Sequence, residues 1–171
     1  STKKTEEQDK EKEDIITFSE ILKARPVLSS SYAPDTKLEK VTPLLFLSEN
    51  IDALATADSV NVYTFTAAKR AMFSYTFTHD APQTTEGWEI SLYCEYSPDG
   101  DGKSTEFRLV DTLKTTMLTA DSSPELGLAP GNYRLVVKKG NLFSGKSYKI
   151  EAKLTETSEY EIECNDNIYR Y

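Results

Sequence analysis

The chain has one histidine, two cysteines and no run of about 18 apolar residues. Each scarcity excludes something. A single imidazole means that general-base, metal or triad chemistry would have to run through His79 alone. His79 follows a strand-like run and precedes Asp80 in a segment with Pro82 and Gly87, so a solvent-exposed loop position is expected for it. Two cysteines are too few for a disulfide framework, and Cys94 and Cys164 match no zinc spacing; they either pair or are unrelated thiols. No stretch is long and apolar enough to span a membrane as a helix. These residues include no signal peptide, so an exported protein would have had its leader removed or would carry it before the sequence given. No Asn-x-Ser/Thr sequon, Gly-x-Ser-x-Gly, His-Glu-x-x-His, paired Cys-x-x-Cys or glycine-rich phosphate loop occurs. The expectation is a protein that is not an enzyme. A hydrolase would have to gather carboxylates such as Asp58, Asp80 or Glu86 in a polar cleft.

Positive charge is also short. The formal net charge is −8, which argues against nucleic acid and against an anionic membrane surface, since both demand basic neutralisation. Cationic partners, metal ions and neutral polymers stay open. With 171 residues there is enough chain for one domain with a real core.

What the sequence does contain is organised in blocks. Residues 1–14, STKKTEEQDKEKED, hold no apolar side chain and cannot offset the entropy of ordering. They read as a disordered terminus or as a lipoprotein-like tether beside a membrane anchor. Residues 15–40 read as an N-terminal strap or linker. Ile15, Phe18, Ile21 and Leu22 approximate helical spacing, Asp14 is placed to cap a short helix, and Pro26 to end it.

Beyond residue 40 the period becomes two. In WEISLYCEY, Trp88, Ile90, Leu92, Cys94 and Tyr96 share one face, while Glu89, Ser91, Tyr93 and Glu95 share the other. Tyr148, Ile150, Ala152 and Leu154 alternate in SYKIEAKL, Tyr133, Leu135 and Val137 in NYRLVV, and Phe73, Tyr75 and Phe77 in MFSYTFT. NVYTF and EFRLV are shorter strands of the same kind. Turn signals separate them at 97–102, 128–132 and 138–141. SPDGDGKSTE has Asp99 and Asp101 at calcium-loop positions, but Lys103 occupies the third, so a hairpin turn is expected there. Many short amphipathic strands, with ten tyrosines and seven phenylalanines to fill a core, predict an all-β antiparallel sandwich over 41–158. Cys94 should face that core as a small hydrophobe. Tyr93, on the opposite face, is the candidate exposed aromatic for binding a ligand.

Four motifs in order give this region a family resemblance. They are DSVNVYTF with Asn61, Tyr63 and Phe65; WEISLY from Trp88 to Tyr93; LAPGNYRLVV; and SGKSYKIEAKL. Together they resemble the bacterial pre-peptidase C-terminal (PPC) domain family, found on secreted proteases, collagenases and surface proteins. The resemblance implies a jelly-roll-like sandwich and a non-catalytic role outside the cell or on its surface, binding a polysaccharide or an extracellular matrix protein. A spacer beside a neighbouring domain of a larger chain is the other role it implies. It also implies calcium. EIECND reproduces the family's Glu-x-Glu-x-Asn-Asp segment, with Glu161, Glu163, Asn165 and Asp166 as ligands. Calcium takes six to eight hard oxygens at about 2.3–2.6 Å, and these side chains supply several. This chain departs from the family pattern in three ways. Cys164 stands where the family usually has Pro, the acidic segment follows the sandwich instead of preceding it, and Asn61 replaces a common Asp. The segment 159–171 therefore opens a further repeat, closes this sandwich as an edge strand, or forms a solvated acidic tail.

Calcium at a hundred times its dissociation constant should stabilise the fold by about 2.7 kcal/mol. The expected result is a melting temperature that rises with calcium and falls with EDTA on the intact chain, but not on a chain ending at Ser158. Equal melting in both metal conditions would remove calcium from the picture.

Overall fold

The computed structural model describes residues 32–56, 58–80, 82, 85–96, 105–144 and 146–156. The expected tether, the helical part of the strap, the turn at 97–102 and the acidic segment 159–171 lie outside these residues.

The described chain forms ten strands: β1 (Glu39–Pro43), β2 (Glu49–Ala53), β3 (Val60–Ala67), β4 (Ala71–His79), β5 (Trp88–Tyr96), β6 (Glu106–Lys114), β7 (Ala120–Ser122), β8 (Leu126–Leu128), β9 (Gly131–Lys139) and β10 (Ser147–Glu156). They make two sheets, β1-β3-β9-β5-β6 and β2-β10-β4-β7, with β8 also paired to β4. The chain alternates between sheets at most connections, as a jelly roll does, so the all-β sandwich predicted from periodicity is the observed fold. One pairing departs from the antiparallel expectation. β1 runs parallel to β3, with Glu39 opposite Val60 and Pro43 opposite Thr64. The sandwich thus begins at Glu39, inside the stretch read as strap.

The predicted inward faces meet. Tyr63 and Phe65 from β3, Phe73 and Phe77 from β4, Trp88, Ile90, Leu92 and Cys94 from β5, Tyr133 and Leu135 from β9, and Tyr148 and Ile150 from β10 form one core. Phe65 stacks between Phe73 (centroids 4.7 Å apart) and Tyr133 (5.3 Å). Phe77 stacks on Tyr148 at 5.2 Å, and Trp88 meets Tyr148 edge-on at 5.3 Å. Offset and edge contacts of this kind add about 1 kcal/mol each to the area they bury. Cys94 lies in this core as expected, and burial pushes its thiol up to about 11.

His79 overturns its expectation. It is the last residue of β4 and continues the alternation of Phe73, Tyr75 and Phe77, so it points inward and is only 6% exposed. Its ring stacks on Phe77, and its Nε2 lies 3.1 Å from Asp121 Oδ2 on β7. Asp121 also accepts from the Thr116 amide (3.1 Å) and hydroxyl (2.8 Å). The imidazole is a packed and paired core group, for a reason local to β4: the strand runs one alternation further than the apolar pattern shows.

Asp80, the next residue, ties β4 to the start of β10. Its carboxylate accepts from the amides of Lys146 (2.9 Å) and Ser147 (3.0 Å) and from the Ser147 hydroxyl (3.1 Å). Burial works against the charged form, but these donors outweigh it and hold the carboxyl below its usual range. A depressed folded pKa contributes stability that is present above the unfolded value, about 4, and lost as pH falls through the folded one. Asp80→Asn should therefore cost about 1 kcal/mol at neutral pH. Its melting curve should converge on that of the parent protein in acid; a gap that persists there would mean the carboxylate charge is not what matters.

Candidate functional site

Tyr93 lies on the face predicted for it, opposite Trp88 and Leu92, but that face is covered. Its ring is only 4% exposed, stacked at 4.7 Å on Tyr32 and packed with Val62 and Val136. Tyr32 also meets Phe107 edge-on at 5.3 Å, donates to Glu39 and accepts from Arg134 Nη1 at 3.4 Å. Burial and then the bond to Glu39 push the Tyr32 phenol up to about 12. Arg134 lies over the Phe107 ring at 4.8 Å, completing a second small core on the outside of the sheet. The exposure that made Tyr93 a ligand-binding candidate is absent because the chain before β1 lies across it.

The four candidate calcium ligands, Glu161, Glu163, Asn165 and Asp166, lie outside the described residues. Among the described residues no group of three or more His, Cys, Asp and Glu is placed to hold a metal ion. The carboxylates named as examples for a hydrolase each have their own surroundings. Asp80 is bound to the Lys146–Ser147 backbone, Glu86 accepts from Asn141 Nδ2 at 3.1 Å, and Asp58 is exposed on the loop between β2 and β3.

Among the described residues a shallow groove lies between β1 and β2, the two strands at one edge of the sandwich. Its volume is about 400 Å³, and its walls include Thr42, Pro43 and Leu45 on one side and Glu49, Ile51 and Asp52 on the other. The local sequence builds it. In LLFLS, Leu44 and Phe46 turn inward, Phe46 packing edge-on against Phe65 at 5.5 Å and Phe73 at 6.3 Å, which throws Leu45 and Leu47 outward. Leu47 is 86% exposed and has a φ of 56°, a conformation costly for a leucine, held by the hydrogen bond its N–H donates to Ala152 O at 3.1 Å. Asn50 fixes that end of the groove. Its Oδ1 accepts from Leu45 N (2.9 Å), and its Nδ2 donates to Leu45 O (3.0 Å) and Ile150 O (3.0 Å). Lys40 and Asp52 bridge the groove at 2.7 Å. Burial opposes ionisation of Asp52, but Lys40 and the Ala53 amide hold its carboxyl below the usual range.

The floor is Tyr63. Its hydroxyl lies 2.7 Å from that of Tyr148, which in turn accepts from Asn61 Nδ2 at 2.8 Å; Asn61 Nδ2 also donates to Ala53 O at 3.2 Å. Burial raises the pKa of both phenols. The departure at position 61 now has a physical reading. Ala53 O can only accept, so the position needs a donor, which an amide supplies and a carboxylate does not.

No family model matches the chain, and no curated protein matches it. Among solved structures it is similar to the pre-peptidase C-terminal domain of a collagenase from Bacillus anthracis, at 16% identity over 67% of this chain and 96% of that domain, with a TM-score of 0.50. It is also similar to a periplasmic inhibitor of g-type lysozyme from Aeromonas hydrophila, at 10% identity over 68% of this chain and 97% of that one, with a TM-score of 0.46. The first of these likenesses shows the fold, a PPC-like β-sandwich.

Asn61→Asp should destabilise the protein by about 3 kcal/mol at neutral pH, because a buried carboxylate would face a carbonyl. The deficit should shrink as pH falls, since the protonated acid can donate again. Lys40→Ala should cost under about 1 kcal/mol, as its ion pair is largely solvated. Urea unfolding of both variants across pH checks the contrast; equal penalties would contradict the donor requirement.

Proposed function

We propose that this chain is a non-catalytic accessory module of an exported bacterial protein, and that it holds a segment of a protein matrix in the β1–β2 groove. The groove itself carries the reading. It has aliphatic walls at Leu45, Pro43 and Ile51, charges at Lys40, Glu49 and Asp52 on its rim, and a hydroxyl floor already bonded to its own neighbours. Size and lining suit an apolar side chain flanked by polar backbone.

A protein is favoured over a polysaccharide by what is exposed. Sugar faces stack on open aromatic rings. Among the described residues the large exposed hydrophobic side chains are all aliphatic: Leu38, Val41, Leu45, Leu47, Ile51, Met117, Leu118 and Leu142. Five of these lie on or beside β1 and β2. Both edge strands are also guarded against indiscriminate pairing, by Lys40 and Pro43 in β1 and by Glu49 and Asp52 in β2, as expected of a selective edge. The PPC-like fold, which a collagenase also carries, supports the same reading. Calcium held by Glu161, Glu163, Asn165 and Asp166 would be a stabiliser of this module and not a reactant.

The test is retention of the chain by immobilised matrix proteins, run beside a glycan array and a hydrolase screen. The expected outcome is retention by a matrix protein, weakened about tenfold by Leu45→Asp and by Ile51→Lys without loss of melting temperature. Retention by glycans alone would shift the ligand class. Binding to neither would leave the spacer role, and hydrolysis would overturn the non-catalytic reading.

A further inference from the structure

The groove is flanked by two edge strands, and the phase of their hydrogen bonding decides which of them is open. Along a strand, successive residues turn their N–H and C=O alternately toward and away from a neighbour. Leu54 N donates to Lys146 O at 3.1 Å, and Ala53 lies opposite Ser147. Asn50 and Asp52 therefore turn their backbone groups toward β10, while Glu49, Ile51 and Ala53 turn theirs away. Ala53 is engaged already: its carbonyl accepts from Asn61 Nδ2 at 3.2 Å, and its amide donates to Asp52 Oδ1 at 2.8 Å. Among the described residues nothing meets the N–H and C=O of Glu49 and Ile51. β1 is less open. Val60 N donates to Leu38 O at 3.1 Å and Leu44 N to Thr64 O at 2.9 Å, which turns Glu39, Val41 and Pro43 away from β3. Of these, Glu39 N is bonded to Asp35 O at 3.0 Å, and Pro43 has no N–H.

The side chains beside the open edge select what can lie there. Glu49 is directly opposite Glu151, and one ammonium, that of Lys149, serves both carboxylates at 3.5 and 3.3 Å. Like charges so placed repel, and a second cation on the open side of Glu49 would relieve them. Two positions on, along the same face, Ile51 is 68% exposed. Between them Asn50 turns inward and is pinned to Leu45 at the mouth of the groove. A strand laid along β2 would set alternate side chains beside Glu49 and Ile51. The side chain between those two would turn into the groove, toward Leu45 and Pro43.

We propose, resting on the matrix-segment reading above, that the segment is held as an added strand on the free edge of β2. Its recognised core is three consecutive residues: a basic one beside Glu49, an aliphatic one turned into the groove and an aliphatic one beside Ile51. A line of outward N–H and C=O groups is complementary to another extended backbone, and the sites for alternate side chains supply the selection.

The probe is the peptide acetyl-Thr-Lys-Leu-Val-Thr-amide, added to the full chain and followed by amide hydrogen exchange. Exchange at Glu49 and Ile51 should slow on binding, and exchange at Val41 should not change. N-methylation of one alternate set of the peptide's amides should weaken binding about tenfold, and methylation of the other set should leave it as it was. Ile51→Pro removes an N–H that β10 does not use. It should melt like the parent protein and lose the peptide, whereas Ile51→Val should keep it. Glu49→Lys should reject this peptide and accept its counterpart with Glu in place of Lys. No binding at millimolar peptide, equal effects of the two methylation sets, or unchanged exchange at Ile51 with the peptide bound would each overturn the added strand. Slowed exchange in the chain alone, growing with its concentration, would assign the edge to a second copy and overturn it too. A matrix protein retained with Ile51 still exchanging freely would leave the groove reading standing and remove only the strand. Peptide bound on the edge with no matrix protein retained would remove only the matrix reading.

Discussion

A phenol buried between two sheets must place its hydroxyl somewhere, and Tyr148 places it on the opposite sheet. The ring stacks on Phe77 and meets Trp88 edge-on, while the oxygen reaches Tyr63 and Asn61 of β3. This is the point at which apolar packing and hydrogen bonding specify the same arrangement. Slippage of β10 by one residue would turn Tyr148 to solvent and Lys149 inward, leaving Asn61 without one of its two acceptors. The floor of the β1–β2 groove exists because this register holds. Asn61 also donates to Ala53, so the same network anchors the end of β2, one of the groove's two walls.

Much of this was legible along the chain. A two-residue period over Trp88–Cys94, Tyr133–Val137 and Tyr148–Leu154 states which face is buried, whatever the sheet order, and those faces form the core. What local pattern cannot carry is coverage from a distance. Tyr93 occupies the outer face as its position requires, yet Tyr32, some sixty positions earlier, lies on top of it. The edge strands were hidden for another reason. EKVTP and ENIDA show no alternation, because an edge strand with solvent on several sides imposes no period on its side chains. The groove is a relation between these two strands, one from each sheet. His79 was misread because a polar residue ends the apolar series by chemistry but continues it by geometry. Its partner Asp121 lies more than forty positions away, beyond the reach of any motif.

Charge shows the same separation between whole-chain and local properties. A net charge of −8 describes the sum, while in the groove Lys40 and Asp52 neutralise each other across an aliphatic opening.

The parallel pairing of β1 with β3 has a mechanical consequence. Because β1 starts at the end of the sandwich where β10 also starts, and β10 finishes at the opposite end, the start of β1 and the finish of β10 lie at opposite ends of the strands. Tension passed through the domain would run nearly parallel to both ladders and load their hydrogen bonds together in shear, where an antiparallel β1 would let them break in succession like a zipper. A domain wired this way can sit in the line of a pulled chain and transmit force.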